Sequence, residues 1–512
     1  MFISHVEMIE QYAAAYPEKV AIVFKDRRIT YGAFNDRINR LANALMEMGI
    51  RKGDHVAILF SNCVEMIESF YAILKAGAVI VPLNPMVKGN SLGRVIDDSD
   101  SVALICGEQF TREIDSLKDF LPKIPANRYI RTGADAAGYA AYESLLRAGS
   151  PENPGTTVFP EDVFNIMYSS GTTGLPKGIV HTHDFRLIFT LFGGVMGFGI
   201  TGQAIVCNST ALYHNGSLFF VMSALYSGGT VVLMDKFDPG DFLELVQAEK
   251  VTHAYLVPTQ FIRILELPEL KSFDTRSLAV VLSMAAPLTR KTKEEILANF
   301  DFKLFEAYGL TEGGAGTLLL PEDQLRKIGS VGKIALGDMR IVDEEMNDVK
   351  PGEVGEIIGR CALMMKEYYK QPEKTAETIV DGWVKTGDLG RFDDEGYLYL
   401  VGRMKDMIVS GGVNIYPEDI EEIIIRHPKV LDVAVFGVPH DKWGESPTAA
   451  AVLRNGETAT ETEIMEWTNG QVAGYQKISG VLFMDELPRN PSGKVLKREL
   501  RVPFWERTGR LI

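Results

Sequence analysis

Residues 168–178 read Tyr-Ser-Ser-Gly-Thr-Thr-Gly-Leu-Pro-Lys-Gly. Glycines in such a segment let backbone N–H groups approach an anion closely, the hydroxyls add donors, and the lysine adds a positive charge. The segment therefore predicts a phosphate-binding loop, although a flexible surface loop has the same composition. The residues expected to hold phosphate are Ser169, Ser170, Gly171, Thr172, Thr173, Gly174 and Lys177.

This loop is not the common P-loop of nucleotide-binding proteins. That motif requires a glycine directly before the lysine and a serine or threonine after it. Pro176 and Gly178 stand at those two positions. An apolar run at residues 163–167 predicts a strand immediately before the loop, which is a usual position for a phosphate site.

The composition indicates a globular protein of two to four domains. The chain has 512 residues, of which 46% are hydrophobic and 24% charged, and its formal net charge is −15. That charge disfavours nucleic acid or an anionic membrane surface as a partner, so any phosphate site must be local. The four cysteines lack metal-ligand spacing, and a disulfide framework or zinc site is not expected.

Targeting signals and membrane spans are not expected from the sequence. The first residues lack a basic region followed by an apolar run, and no stretch of about 18 uncharged apolar residues occurs. Residues 187–200 come nearest to a span, but several glycines interrupt them. We therefore expect a cytoplasmic protein without a membrane span.

Strand and helix patterns alternate along the first 300 residues and predict an α/β fold with parallel sheets. Predicted helices cover residues 30–49, 64–76, 113–121, 241–249 and 288–299. Predicted strands cover residues 55–60, 79–82, 202–208, 229–234, 253–257 and 278–283. Residues 329–401, rich in Gly, Asp and β-branched residues, predict a small antiparallel barrel or sheet. The last hundred residues predict a helix at 417–426 and strands at 432–438 and 448–454.

A second motif, Glu306–Gly314, reads Glu-Ala-Tyr-Gly-Leu-Thr-Glu-Gly-Gly. Its aromatic ring, Tyr308, is suited to stacking on a purine, Thr311 to a phosphate, and Glu312 to Mg²⁺. The alternative is a helix start, because threonine and glutamate are common there.

Three further motifs follow. Asp388 lies in Trp-Val-Lys-Thr-Gly-Asp-Leu-Gly, where it is suited to two ribose hydroxyls or, alternatively, caps its own turn. Arg403 lies beside a charged pair in residues 402–421, and the alternative for this segment is an interdomain linker before a capped helix. Lys494 ends the segment Asn-Pro-Ser-Gly-Lys. The alternative to a functional role is a solvated surface lysine, as most exposed lysines are.

Together, in this order, the motifs resemble those of the adenylate-forming acyl-CoA synthetase superfamily, whose members include acid–CoA ligases, luciferases and peptide-synthetase adenylation domains. The resemblance covers nearly the whole chain. It implies a large N-terminal domain, residues 1–403, with two α/β subdomains and a small β-barrel subdomain. It also implies a small mobile α+β C-terminal domain, residues 404–512, that rotates about a hinge near Lys405.

The resemblance also implies the reaction. A carboxylic acid attacks the α-phosphorus of ATP to give an acyl-adenylate and pyrophosphate, and the thiol of CoA then displaces AMP. ATP, Mg²⁺ and CoA are therefore expected. In the implied roles, the loop from Ser169 to Lys177 holds the β,γ-phosphates, Thr311 meets the α-phosphate, Glu312 holds Mg²⁺, and Lys494 joins the carboxylate to the α-phosphate. The implied nucleotide contacts are Glu306, Ala307, Tyr308, Asp388 and Arg403.

The acid and CoA sites are implied in the same way. The acyl pocket is expected at Tyr213, His214, Asn215, Met284, Ala285 and Gly309, and the CoA site at Ser410, Gly411, Gly412, Val413 and Trp443. His214 and Trp443 each have a structural alternative, as core or packing residues. No carboxylate lies in residues 213–217 to meet an amino group, which disfavours an amino acid.

The expected substrate is a hydrophobic acid of medium size. Gly309 stands where acetate-specific relatives carry tryptophan, and Met284 stands where glycine is usual. Met284 either narrows the pocket or fills core. Two alternatives remain open: an enzyme that acylates a carrier protein, and a nucleotide-binding relative without turnover. A homodimer is compatible with the sequence.

Overall fold

The computed structural model describes residues 2–169, 177–411, 413–489 and 495–506. The first of these segments alternates helices and strands. Its elements are α1 (His5–Ala15), β1 (Val20–Phe24), β2 (Arg27–Thr30), α2 (Tyr31–Glu47), β3 (His55–Leu59), α3 (Val64–Lys75), β4 (Val79–Pro82), α4 (Gly89–Asp98), β5 (Ser101–Cys106), α5 (Thr111–Asp115), β6 (Tyr129–Arg131), β7 (Ala140–Ala141), α6 (Tyr142–Ala148) and β8 (Val163–Ser169).

The next segment continues the alternation and then changes to antiparallel strands. Its first elements are β9 (Lys177–Thr182), α7 (His183–Ile188), β10 (Ile205–Asn208), α8 (Asn215–Tyr226), β11 (Thr230–Leu233), α9 (Pro239–Glu249), β12 (His253–Leu256), α10 (Pro258–Leu265), β13 (Val280–Ser283), α11 (Arg290–Asn299), β14 (Lys303–Gly309) and β15 (Gly316–Leu319). Those that follow are β16 (Ser330–Ile334), β17 (Asp338–Val342), β18 (Gly355–Arg360), β19 (Glu367–Tyr368), α12 (Pro372–Thr378), β20 (Ile379–Val380), β21 (Trp383–Phe392) and β22 (Leu398–Arg403).

The C-terminal part forms its own small sheet with helices against it. Its elements are β23 (Ile408–Ser410), β24 (Val413–Ile415), α13 (Pro417–Ile424), β25 (Val430–His440), β26 (Gly444–Leu453), α14 (Glu461–Asn469), β27 (Val481–Phe483) and α15 (Lys497–Glu506). The strand order is β24-β23-β26-β25, with β27 parallel to β26.

Two larger sheets form the rest of the molecule. One has the order β19-β9-β8-β4-β3-β5-β6-β7, and its central pairs are parallel. The other runs β17-β18-β21-β22-β16-β15-β14-β13-β12-β10-β11-β1-β2, parallel from β14 to β1 and antiparallel beyond both ends. The α/β fold and the antiparallel character expected for residues 329–401 are therefore present.

Helix α2 shows how the sequence directs these elements. Thr30 caps its N-terminus by accepting a hydrogen bond from the backbone of Ala33, and Gly49 follows its C-terminus with a positive φ. The side chains of Phe34 and Ile38 are fully buried on one face, as the spacing of apolar residues predicted. They belong to one hydrophobic core that also contains residues of α3, α8 and both large sheets.

The predicted helix at residues 113–121 is wrong as a single element. The chain forms the short helix α5 and then a separate 3₁₀ turn at Lys118–Phe120. Between them the hydroxyl of Ser116 donates to the carbonyl oxygen of Glu113 at 2.7 Å. Such local side-chain bonds compete with the helical backbone pattern and favour its end.

The sequence did not predict the first hairpin, β1–β2. Strand β1 pairs in parallel with β11, with Ile22 opposite Val231, so the N-terminal segment completes the second large sheet. The glycine-rich stretch that came nearest to a membrane span is partly π-helical, at Phe189–Gly197. In the part of the chain described, no helix is long and apolar enough to cross a membrane.

Candidate functional site

The predicted phosphate loop connects two antiparallel strands. Ser169 at the end of β8 pairs with Lys177 at the start of β9, so the loop closes a hairpin. The Nζ atom of Lys177 lies 5.0 Å from the ring centre of Tyr368. Burial, followed by the charge of Lys374, lowers the pKa of Lys177. The predicted phosphate contacts Ser170, Gly171, Thr172, Thr173 and Gly174 lie outside the described residues.

The turn between β14 and β15 carries Thr311 and Glu312, so the alternative of a helix start at these residues is wrong. Gly313 has φ +74°, and a Cβ atom there would lie 1.9 Å from the carbonyl oxygen of Leu363. The backbone of Met365 donates to the carbonyl of Glu312 at 2.8 Å. The close approach that fixes this turn therefore requires glycine.

Tyr368 is a site residue that the sequence motifs did not indicate. Its hydroxyl donates to Oε1 of Glu312 at 2.8 Å, and the same ring lies beside Lys177. Burial and the Glu312 carboxylate raise the pKa of Tyr368. One signal in the sequence is the tyrosine pair 368–369 just before the proline that starts α12.

Tyr308, Asp388 and Arg403 form one cluster, although the sequence assigned them to three separate motifs. The Tyr308 hydroxyl donates to Oδ2 of Asp388 at 2.8 Å, and Nε of Arg403 lies 3.0 Å from Oδ1. Asp388 and Arg403 are direct partners in the β21–β22 ladder. Burial, and then the charge of Asp388, raises the pKa of Tyr308 well above its usual value.

Asp388 also takes part in a local turn. Its backbone N–H donates to Oγ1 of Thr386 at 3.1 Å, and Gly387 between them has φ +69°. The carboxylate itself contacts Tyr308 and Arg403, so the alternative in which the Asp388 side chain caps its own turn is wrong.

The carboxylate of Glu306 is occupied by protein groups. It forms a buried ion pair with Lys293, and Oε2 accepts from the backbone of Leu288 at 3.3 Å. Burial raises the pKa of Glu306. Its neighbour Ala307 pairs with Leu318 in the β14–β15 ladder and packs against the main core. A nucleotide contact of Glu306 or Ala307 would therefore have to be made by the backbone, and it stays a prediction.

The predicted acyl-pocket residues come from two elements. Tyr213 and His214 precede α8, and their ring centres are 4.3 Å apart. Nε2 of His214 is buried without a hydrogen-bond partner among the described residues. Burial lowers the pKa of His214 to about 4, so the imidazole is neutral at pH 7.

Met284 and Ala285 follow β13, and Gly309 ends β14, the neighbouring strand. A Cβ atom on Gly309 would lie 3.6 Å from the Cε methyl of Met284. Met284 also packs against the main core, as one of its two predicted roles requires, and its role in the acyl pocket stays a prediction. Ala285 has φ +78°, a left-handed conformation that is costly for alanine and is common at functional sites.

A buried polar cluster around Arg186 links this region to the Thr311 turn, and no sequence motif predicted it. Asn165, His181 and Asn215 all contact the guanidinium of Arg186, and His181 contacts the carbonyl of Thr311 at 2.8 Å. Asn215 was predicted in the acyl pocket, but Arg186 belongs to no motif.

The predicted CoA residues lie together in the C-terminal sheet. Ser410 and Val413 pair at the end of the β23–β24 hairpin, and the N–H of Gly411 donates to the carbonyl of Trp443 at 2.7 Å. A Cβ atom on Gly411 would lie 2.8 Å from the Trp443 ring, which is 48% exposed. Two further predicted residues, Gly412 and Lys494, lie outside the described part of the chain.

Lys405 lies in a 3₁₀ turn, Met404–Asp406, between the cluster of Asp388 and Arg403 and the C-terminal sheet. Its carbonyl accepts from Arg501 of α15 at 3.4 Å. Burial lowers the pKa of Lys405. The turn therefore connects β22 to the C-terminal sheet, and the hinge at Lys405 stays a prediction.

The described residues include no group of three or more His, Cys, Asp or Glu side chains arranged to hold a metal ion. Mg²⁺ commonly takes one or two carboxylates and completes its coordination with substrate phosphates and water. A single carboxylate, such as that of Glu312, fits this requirement.

Comparison with known proteins defines the class. Residues 9–369 match the family model of the AMP-binding enzymes, and residues 419–494 match that of the AMP-binding enzyme C-terminal domain. The chain belongs to the AMP-binding enzyme family, and the expected membership of the adenylate-forming superfamily is confirmed.

Individual relatives narrow the class. The chain is 34% identical to long-chain-fatty-acid–CoA ligase FadD13 of Mycobacterium tuberculosis, over 97% of this chain and 98% of that protein. It is 35% identical to feruloyl-CoA synthase of Amycolatopsis sp., over 95% and 96%. The ATP-bound structure of MatB from Rhodopseudomonas palustris superimposes with a TM-score of 0.88 at 30% identity, over 98% and 99%. The predicted enzyme class, AMP-forming acyl-CoA synthetase, and the large N-terminal domain with a C-terminal domain are confirmed.

Proposed function

We propose that this enzyme joins a hydrophobic carboxylic acid of medium size, linear, alicyclic or aromatic, to CoA through an acyl-adenylate. The observation that supports the site assignment is the turn at Thr311 and Glu312. Tyr368, whose ring lies beside Lys177, donates a hydrogen bond to Glu312 in this turn, and Tyr308, near the end of the strand that precedes the turn, donates to Asp388.

In the first half-reaction the ionised carboxylate of the acid attacks the α-phosphorus of ATP, and pyrophosphate leaves. A carboxylate needs no general base at neutral pH, so the task of the site is to position two anions and to stabilise charge. Tyr308 would stack on adenine, and Asp388 would accept hydrogen bonds from the ribose hydroxyls beside Arg403. The Thr311 turn would hold the α-phosphate, and Lys177 would serve the departing phosphates.

Glu312 would hold Mg²⁺, which when bound neutralises phosphate charge. Tyr368 would then restrain the Glu312 carboxylate, because its hydroxyl occupies one of the two carboxylate oxygens. Lys494 would join the carboxylate of the acid to the α-phosphate, as the family resemblance implies.

In the second half-reaction the CoA thiol attacks the acyl carbonyl and AMP leaves. Rotation of residues 404–512 about Lys405 would replace Lys494 by the hairpin of Ser410, Gly411 and Val413. Trp443, exposed beside Gly411, would then contact the CoA nucleotide.

The acid pocket supports the choice of substrate. Gly309 has no side chain, and a Cβ atom there would lie 3.5 Å from the carbonyl oxygen of Ala315 and 3.6 Å from the Met284 methyl, so a larger side chain would take up volume that we assign to the acyl group. His214 is neutral and has an unused buried ring nitrogen, so it is suited to a hydrogen bond with the carboxylate end of the acid. Neighbouring hydrocarbon acids differ by only about 1–3 kcal/mol per methylene in such a pocket.

The test is a panel of straight-chain, alicyclic and aryl acids, each assayed with MgATP for pyrophosphate release and for acyl-CoA by mass spectrometry. We expect both products with medium-sized hydrophobic acids and neither with acetate or amino acids. Pyrophosphate release without acyl-CoA, and acyl transfer to a carrier protein instead, would reject the ligase assignment. Activity restricted to small polar acids would reject the substrate class alone.

A further inference from the structure

Arg186 is a buried cation without an acidic partner among the described residues. Its side chain is fully buried, and Nε donates to Oδ1 of Asn165 at 2.8 Å. One terminal nitrogen donates to Oδ1 of Asn215, and the other contacts Nδ1 of His181 at 2.9 Å. That second nitrogen also lies 3.1 Å from the sulfur of Met167. Every one of these partners is neutral.

Burying this charge among neutral partners is unfavourable in free energy, because a charge removed from water normally requires a counter-charge. Burial lowers the pKa of Arg186 to about 9, so the side chain still carries its charge at neutral pH. The aromatic rings of Phe164, Phe185 and Phe189 lie 5.4 to 5.9 Å from the guanidinium carbon and compensate only in part. A buried charge of this kind is common at functional sites.

The contacts fix the tautomer of His181. A guanidinium group only donates hydrogen bonds, so Nδ1 of His181 must accept and the ring proton must be on Nε2. Nε2 then donates to the carbonyl oxygen of Thr311 at 2.8 Å. The ring is further held by stacking on Phe185, with centres 4.1 Å apart. His181 therefore transmits the position of Arg186 to the Thr311 turn.

Asn215 provides the other end of the connection. It is the first residue of α8, directly after His214, and its side-chain oxygen accepts from Arg186. One side chain thus contacts both the start of α8 at the acid pocket and, through His181, the turn assigned to the α-phosphate.

We propose that Arg186 is a positioning residue for adenylation: it sets the acid pocket and the Thr311 turn in one geometry through Asn215 and the Nε2–H form of His181. Its uncompensated charge also favours the approach of the two anions that must meet there. This inference rests on the proposed role of Thr311 at the α-phosphate.

The first test separates the two half-reactions in Arg186→Met and Arg186→Lys. Misplacing reacting groups by about 1 Å can cost 10²-fold. We therefore expect kcat/KM for ATP–pyrophosphate exchange to fall about 10- to 100-fold in Arg186→Met. Thioester formation from supplied acyl-adenylate is expected to change less than about threefold, because that step no longer requires the acid and phosphate to be aligned. Arg186→Lys, which keeps the charge but cannot reach all four acceptors, should fall between Arg186→Met and the wild type in exchange.

Lys75→Met is the matched control. Lys75 is also a buried cation, but it forms a 2.6 Å ion pair with Glu10, and neither residue belongs to the Arg186 cluster. It should lower thermal stability without a selective loss of exchange. An equal loss of both half-reactions in Arg186→Met, parallel to its loss of stability, would overturn the proposal and leave only a structural role.

A second test does not depend on Arg186 variants folding. The amide nitrogen of glutamine reaches the position of Nε2, whereas the shorter asparagine side chain reaches only that of Nδ1. His181→Gln therefore keeps a donor for the Thr311 carbonyl but loses the acceptor for Arg186, and His181→Asn keeps an acceptor for Arg186 but loses the donor to Thr311. Because the proposed transmission needs both contacts, each variant should lose about tenfold or more in exchange while thioester formation from supplied acyl-adenylate changes less than about threefold. Exchange within about threefold of the wild type in either variant would contradict transmission through His181.

Thr311→Ala distinguishes this inference from the proposed function. If Thr311→Ala impairs exchange and the Arg186 and His181 variants do not, the positioning role fails while the site assignment stands. If Thr311→Ala leaves exchange unchanged, the assignment of Thr311 fails first.

Discussion

The hydroxyl of Tyr308 donates a 2.8 Å hydrogen bond to Asp388, so the residue assigned to adenine and the residue assigned to ribose are joined directly. Arg403 contacts the other oxygen of the same carboxylate at 3.0 Å. The nucleoside site is consequently preorganised by contacts between β14, β21 and β22.

Tyr308→Phe tests this connection. The ring remains available for stacking, but Asp388 loses a bond that, at a charged group, is worth about 1.5–3 kcal/mol. We expect KM for ATP to rise about 10- to 100-fold, since each 1.4 kcal/mol is tenfold, while KM for the acid changes little. Tyr31→Phe is a matched control, because its buried hydroxyl donates to the carbonyl of Gly229 at 2.8 Å. An unchanged KM for ATP in Tyr308→Phe would contradict the assignment.

Tyr368→Phe tests the restraint on Glu312. Without the hydroxyl, one oxygen of the proposed metal ligand loses its partner, and the carboxylate is free to rotate. We expect the Mg²⁺ concentration for half-maximal exchange to rise about tenfold or more, because loss of a hydrogen bond that orients a metal ligand typically lowers metal affinity about 10- to 100-fold. Tyr369→Phe is the control, since the hydroxyl of the adjacent tyrosine donates to Asp100 instead. Identical Mg²⁺ titrations for both variants and the wild type would argue against Glu312 as the ligand.

Met284→Gly tests the size of the acid pocket. The Met284 methyl lies 3.6 Å from the position of a Cβ atom on Gly309, in the region assigned to the acyl group, so its removal should admit longer or bulkier acids. We expect the ratio of kcat/KM for a bulky acid to that for a compact acid to increase about 10- to 100-fold, consistent with 1–3 kcal/mol per methylene-sized volume. Competition between two acids, with the acyl-CoA products counted by mass spectrometry, measures this ratio directly. A uniform loss with all acids would show that Met284 only fills core.

Glu418 predicts a pH dependence at the connection between the domains. Burial, together with the carboxylates of Glu421 and Asp406, raises the pKa of Glu418 to about 7 against the opposing charge of Lys497. A carboxyl group whose pKa is raised by folding destabilises the protein as pH rises from about 4.3, its usual value, through 7. Below that range the cost disappears.

Glu418→Gln should therefore raise the melting temperature at pH 8 and leave it nearly unchanged at pH 4.5. Because the Glu418 side chain is 39% exposed, we expect the free energy of unfolding at pH 8 to increase by no more than about 1 kcal/mol. The position matters because Glu418 faces the backbone of Gly402, next to Arg403 and the proposed hinge. Melting curves at the two pH values, with Glu422→Gln as an exposed control on the same helix, measure the difference. An equal gain at both values would contradict the raised pKa.

Lys405→Pro tests the hinge. Proline fixes φ near −65° and restricts the residue before it, so the turn at 404–406 would lose the freedom that rotation requires. We expect exchange to remain within about threefold of the wild type and thioester formation to fall at least tenfold. Lys405→Ala removes the charge without the restriction and should spare both steps. Comparable rates of the two half-reactions in Lys405→Pro would reject the hinge assignment.

Much of the fold follows from local sequence signals. Apolar stripes and glycines such as Gly49 predicted helices where the structure has them, because these signals act over one or two turns. The hairpin β1–β2 was not predicted, because its pairing with β11 depends on contacts far along the chain. The helix predicted at 113–121 was wrong because a single hydroxyl, on Ser116, competes with its backbone.

The candidate site shows the same division. Its motifs were visible because glycine, hydroxyl and charged residues concentrate within short segments, and the structure brings Tyr308, Asp388 and Arg403 together. Arg186 and Tyr368 were missed, because each is one residue in an otherwise ordinary stretch and acts only through partners distant in sequence. A fully buried arginine cannot be distinguished from a surface arginine until its surroundings are known.

The parallel pairing of β1 with β11 also sets an order of events during synthesis. Ile22 leaves the ribosome about 200 residues before its partner Val231, and at roughly 5–20 residues per second the interval is about 10–40 s. For that time the apolar segment Val20–Phe24 has its hairpin partner β2 on one edge and no partner on the other. An unpaired apolar strand edge associates readily with other chains. The nascent enzyme should therefore depend on chaperones through its first strand, at a stage when Tyr308, Asp388 and Arg403 of the nucleotide site have not yet been synthesised.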